Sequence, residues 1–170
     1  MDMTGHDEVL DSFEMKSPQQ LLAGLDYQLV AEFFAVFSRV EHALKMSGYL
    51  QEREPATVDW HRFASEMVGQ LSSVRSIKLK TSIVFLTDFP PKKQLRNFEW
   101  QDSPFPEICS DRDSKAIIAS TRVRNNLFHG GKYNITDPAR DTELIVSALN
   151  VLRGCLYVRE DIKTNYELVL

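Results

Sequence analysis

The stretch Arg122-Val-Arg124-Asn125-Asn126-Leu127-Phe128-His129-Gly130-Gly131-Lys132-Tyr133 concentrates the side chains of this chain best suited to chemistry. Arginine stays charged at any working pH and grips a phosphate through two parallel N–H donors. Histidine takes or gives a proton near neutrality. Asn125 and Asn126 form helix poorly, and their amides can orient a phosphate or a ribose. In a regular helix a five-residue step turns about 140°, so Arg124 and His129 would not share a face. They converge only if the helix unwinds near His129, which Gly130-Gly131 allows. A plainer reading stands beside this one. Asn-Asn and Gly-Gly are ordinary chemistry for a helix C-terminus, Leu127 and Phe128 suit a core, and His129 can cap last-turn carbonyls. These residues alone leave both readings open.

Other catalytic patterns are missing. There is no glycine-rich phosphate loop, no His-Glu-x-x-His helix, no Cys-x-x-Cys pair and no Gly-x-Ser-x-Gly elbow. His6 falls in an acidic N-terminal arm, while His42 and His61 sit among polar neighbours as surface or boundary residues. Cys155 lies on an apolar stripe and reads as core, whereas Cys109 borders a loop and could be exposed. Two cysteines make neither a disulfide framework nor a zinc cage, so we expect a reducing, cytoplasmic setting. No metal and no cofactor are expected.

The elements that must position the Arg124 stretch read mostly as helix. Residues 1–16 form an expected arm without a clean period, and 17–170 a single domain, as the length predicts at roughly 150 residues per domain. Ser17-Pro18 is a helix start. From Leu25, the positions Leu29, Phe33, Phe37, Val40 and Leu44 recur every three or four residues. Val30, Phe34 and Val36 widen that stripe into a helix more than half buried, ending near Gly48. Thr57 or Asp59 caps a helix carrying Trp60, Phe63, Ala64, Met67, Val68 and Leu71 on one face. Residues 73–87 fit helix or strand, and helix is preferred because no turn signal appears before Pro90-Pro91.

Residues 88–110 hold four prolines and read as a long loop, with a short extended piece at 94–100, pinned by Trp100 and Phe105. Ser110 or Asp111 opens the helix that carries Arg124, and Gly130-Gly131 stops it. Asp137-Pro138 opens a last helix with Leu144, Ile145, Ala148, Leu149, Leu152, Cys155 and Leu156 on its apolar face. The sum is an all-α bundle of about five helices with one long proline-containing loop. No apolar run reaches the roughly 18 residues of a membrane span, and the acidic start is unlike a signal peptide.

Charge is uneven along the chain. The net charge is −4, which argues against non-specific nucleic-acid binding. Residues 1–60 hold four basic and eleven acidic residues, a net −7. Residues 74–96 carry a net +5 and residues 112–140 a net +4. If those two segments meet, they create a local positive field in an acidic protein; otherwise they are two solvated helix faces.

Arg124-Asn-Asn-Leu-Phe-His129 resembles the Arg-x4-His signature of HEPN domains, all-helical nucleotide-binding or ribonuclease domains in which a polar residue follows the arginine, here Asn125. The segment Phe33-Phe-Ala-Val-Phe-Ser-Arg39-Val-Glu41-His-Ala-Leu-Lys45 is similar to the opening helix of a standalone bacterial and plasmid-borne HEPN family. Pro90-Pro-Lys-Lys-Gln94 and Trp100 resemble the same group, so the likeness spans about residues 25–160.

The resemblance implies a HEPN-like helical bundle and an endoribonuclease that cuts RNA without a metal. His129 would act as general base or acid, Arg124 would stabilise charge on the scissile phosphate, and Asn125 would position the phosphate or the histidine. Products would end in 2′,3′-cyclic phosphate and 5′-hydroxyl. The resemblance also implies a homodimer with two motifs facing one groove, a toxin or antiviral role, and an antitoxin or other regulatory protein partner. Arg122, Asn126, Lys132 and Tyr133 are weaker candidates for phosphate or RNA contact. Arg39 and Glu41 could line the groove, although a surface ion pair on their helix explains them as well. Some HEPN toxins carry a modifiable tyrosine two residues after the histidine. Gly131 stands there in this chain, and Tyr133 is the nearest tyrosine. The alternative is a non-catalytic HEPN module that binds nucleotide, RNA or a protein partner.

Overall fold

Local capping explains where most of the helices begin. In the computed structural model, which describes residues 14–22, 24–52, 55–97, 99–128 and 137–168, Ser17 and Gln20 exchange side-chain-to-backbone hydrogen bonds at the start of α1 (Pro18–Leu21). This helix does not run on into the Leu25 stripe. Asp26 is extended, and its carboxylate accepts the Gln28 N–H at 2.8 Å, which starts α2 (Tyr27–Met46) separately. Residues 14–17 ahead of α1 are exposed and non-helical. The rest of the expected arm lies outside the described residues.

α2 buries Phe33, Phe37, Val40, Ala43 and Leu44. Its stripe is narrower than the sequence predicts: Val30 and Val36 are half-buried, and Phe34 is 54% exposed. Asp59 accepts the Arg62 N–H at 3.0 Å and opens α3 (Trp60–Glu66). The apolar period continues to Leu71, yet the helix stops at Glu66. Met67 and Leu71 still reach the core, whereas Val68 points out at 45% exposure.

Two distant carboxylates supply the reason. Gly69, at φ +71°, donates its N–H to Asp111 at 2.7 Å. Ser72 gives its N–H to the buried Asp113 at 2.9 Å and its hydroxyl to the same carboxylate. These acceptors satisfy the backbone of a chain of turns in place of helix bonds.

Ser76 caps α4 (Ile77–Asp88), which settles the helix-or-strand ambiguity as helix. The following loop contains a short hairpin of two-residue strands, β1 (Lys93–Gln94) and β2 (Trp100–Gln101), paired antiparallel. Phe105 packs on the core, but Trp100 is exposed and does not pin the loop. Cys109 is buried, contrary to the exposure its neighbours suggested. Asp111 accepts the Ser114 N–H at 2.9 Å as α5 (Arg112–Phe128) begins.

Asp137 and Pro138 open α6 (Pro138–Val158) as the sequence predicts, and α7 (Glu160–Glu167) follows after a break at Arg159. α6 is the centre of the bundle and packs on α2, α4, α5 and α7. Seven helices among the described residues, three of them of eight residues or fewer, replace the expected five or so. None is long and apolar enough to cross a membrane.

Candidate functional site

Arg124 projects from the last third of α5 toward α2. Its Nη2 lies 3.9 Å from Glu41 Oε2, and its Nη1 donates to Asn125 Oδ1 at 3.1 Å. The guanidinium carbon sits 5.7 Å from the Phe37 ring centre and 5.9 Å from that of Phe128. Two ring faces thus hold the cation by cation–π attraction, and one carboxylate holds it loosely. A third of the side chain remains exposed, at 33%.

Arg124 and Asn125 line an open cleft of about 290 Å³ between α2, the 51–58 connection, α3 and α5. Glu41, Thr57, Trp60 and His61 face the same space. Trp60 forms an aromatic wall, 5.2 Å from Phe37 and 6.2 Å from Phe63. The isolated bridge Leu50–Val58 holds the connection in place. The cleft therefore combines a fixed cation, an amide, a carboxylate, an imidazole and an aromatic face. That set can seat a phosphate beside a planar ring and move a proton.

The weaker phosphate candidates divide. Arg122 donates from Nη1 to the Ser103 carbonyl at 2.8 Å and from Nη2 to the Pro104 carbonyl at 2.7 Å, with its guanidinium 4.8 Å over the Phe105 ring. Burial pushes its pKa below the ordinary arginine value. Asn126 gives its amide N–H to the Lys92 carbonyl at 2.6 Å. Both fasten the 88–110 loop to α5 and lie outside the cleft. His129, Lys132 and Tyr133 fall outside the described residues, as do His6 and the Gly130-Gly131 stop.

Glu41 reaches Arg124 instead of pairing along its own helix, and Arg39 donates to the Tyr166 carbonyl at 2.7 Å. Phe128 is exposed and contacts Phe34 at 5.2 Å between ring centres, so it is not the core residue one reading of the stretch required. The two basic segments do meet where α4 packs on α5. Part of that charge is engaged near this contact. Arg112 pairs with Asp88 at 2.8 Å, and Arg140 donates to the Phe89 and Pro90 carbonyls at 3.4 and 3.3 Å. Lys92 lies 3.7 Å from Asp102.

His61 is the cleft residue that sequence reasoning missed. It is exposed, as expected of a surface histidine, and it also borders the space that Arg124 lines. Nothing in its neighbourhood signals this, because the juxtaposition is set by the packing of α3 on α5. The cysteines offer no reactive thiolate: burial raises the pKa of Cys109 and pushes that of Cys155 up to about 12. Among the described residues no group of three or more His, Cys, Asp or Glu side chains could hold a metal ion. No protein-family model, curated protein or solved structure matches the chain.

Proposed function

We propose that the chain is a metal-independent endoribonuclease of the HEPN type, working at the Arg124 cleft as a toxin or antiviral effector. One observation carries this reading: Arg124 and Asn125, the two described residues of the Arg-x4-His motif to which catalytic roles attach, both face an open cleft. Cleavage begins when a ribose 2′-oxygen attacks the adjacent phosphorus and loses its proton. The bond from phosphorus to the 5′-oxygen then breaks, and that oxygen takes up a proton. Arg124 stabilises the charge that grows on the phosphoryl oxygens, and the Asn125 amide orients the phosphate. His129 serves one of the two proton transfers. A homodimer with two motifs facing one groove would double the local positive field and offset the acidity of the chain.

The test is cleavage of RNA by the purified protein in EDTA, beside Arg124→Ala and His129→Ala, with the product ends mapped. The expected result is 2′,3′-cyclic phosphate ends and loss of cleavage in both variants. Cleavage that requires a divalent metal, or that survives in both variants, overturns the reading. A second reading has its own support. Stacking between Phe37 and Phe128 beside Glu41 is also how a purely structural arginine is held, which favours a non-catalytic module that binds RNA, nucleotide or a protein. Folded wild-type protein with no cleavage of total RNA or tRNA would select it.

A further inference from the structure

A second concave site lies where the start of α4 meets the second half of α6, and it shares no residue with the Arg124 cleft. The helices come very close here. A Cβ placed on Gly154 would lie 3.0 Å from both Leu79 methyl carbons and 3.2 Å from a Leu71 methyl. Around this contact a groove of about 420 Å³ opens. Arg75 and Lys78 line it from the start of α4, and Arg153 and Tyr157 line it from α6.

The charged side chains that line this groove are all cations. Three cations line it and no carboxylate does. Arg75 and Lys78 are exposed and make no ion pair among the described residues. Arg153 pairs with Glu32 of α2, which lies outside the groove. Like charges around one hollow repel each other and focus a positive potential into it. The positive end of the α4 dipole adds to that potential at the same place. In a chain of net charge −4, such a grouping is relieved by an anion.

Tyr157 gives the ligand a second feature. Its side chain is 73% exposed, so a large aromatic ring stands at the groove with most of its surface free. An exposed ring beside paired guanidinium and ammonium groups suits a flat base attached to a phosphate. The volume falls in the range of about 300–1,000 Å³ typical of small-molecule sites.

We propose that this groove binds a nucleoside phosphate, with its phosphate on Arg75, Lys78 and Arg153 and its base against Tyr157. Free mononucleotides and the units of an RNA strand share that chemistry. Titration calorimetry on the full chain separates the two sources. One arm uses AMP and ADP, with adenosine and inorganic phosphate as controls. The other uses a short 2′-O-methyl oligoribonucleotide, which has no free 2′-hydroxyl to react.

Arg75→Ala/Lys78→Ala is expected to weaken whichever ligand binds by about tenfold or more. Tyr157→Ala should weaken the nucleotide severalfold and leave inorganic phosphate unchanged. The same titrations on Arg124→Ala separate binding at this groove from binding of RNA at the Arg124 cleft. Free nucleotide as the tighter ligand marks an effector site, and the oligomer as the tighter ligand marks a strand-anchoring site. Both outcomes support the proposal if the double variant weakens them by that factor, and undiminished affinity in the double variant counts as binding kept. No binding by the wild type in either arm overturns it, and so does binding that the double variant keeps. The readout is binding and not cleavage, so the result is independent of the ribonuclease reading.

Discussion

Arg122 and Arg124 stand two residues apart on α5 and do opposite things. A two-residue step turns a helix by about 200°, so the pair face different parts of the molecule. On one side Arg122 has two carbonyl acceptors under 3 Å and a ring beneath it, and its capacity is spent on holding the loop. On the other side Arg124 has one distant carboxylate and a neighbouring amide, and it borders open space. The residue type is the same. What separates a fastener from a candidate ligand is how many fixed acceptors the fold supplies before any ligand arrives. The start of α5 repeats the first pattern, with Asp111 and Asp113 committed to the turns after α3.

The sharpest break of this comparison is a crossed pair of variants. Arg124→Ala should reduce cleavage by about a hundredfold or more, as removal of a charge-stabilising donor does, while changing stability by less than about 1 kcal/mol. Arg122→Ala should destabilise by about 2 kcal/mol, because two charge-assisted hydrogen bonds vanish. Its cleavage per folded molecule should stay near the wild-type level. Urea unfolding and a cleavage assay on the same preparations decide it. If both variants lose activity and stability together, the division between the two sides of α5 is wrong.

Asp113→Ala should come next, with a loss of about 2–3 kcal/mol, because the Ser72 N–H and hydroxyl lose a buried acceptor. Asp113→Asn keeps an acceptor oxygen and should lose less. Equal loss in the two variants would mean that the negative charge matters more than the hydrogen bonds.

The smallest effect is on the acid side. Burial raises the Asp111 pKa, but hydrogen bonds from Ser114 and Gly69 outweigh it and hold the carboxyl below its usual value. Its folded pKa is thus below its unfolded one. The stability it contributes is present above the ordinary carboxylate range and is lost as pH falls through the lower, folded value. Asp111→Asn should flatten the fall of the urea midpoint below about pH 4, and an unchanged slope would remove Asp111 from that account.

Much of the bundle was legible because capping is local. Ser17, Asp59 and Asp137 each announce a helix within three residues of its start, and each start is found there. What escaped depended on partners far away in sequence. The early end of α3 is set by carboxylates at 111 and 113, which no period in residues 60–71 encodes. Phe34 fits the apolar stripe of α2 by spacing, yet its neighbour is the exposed Phe128. Arg124 and Asn125 were legible as candidates from residue type and motif. That Arg122 and Asn126 beside them hold a loop was not, because their acceptors are backbone carbonyls whose positions depend on the completed fold.

The turns after α3 also carry a consequence for the order of assembly. Gly69 and Ser72 take their acceptors from 42 and 41 residues downstream. Closing so long a loop costs entropy before any bond repays it, so these two bonds cannot close until α5 has docked. The Gly69 and Ser72 amides should then exchange with deuterium only when α5 itself releases, as a late-forming clasp and not as an independent turn.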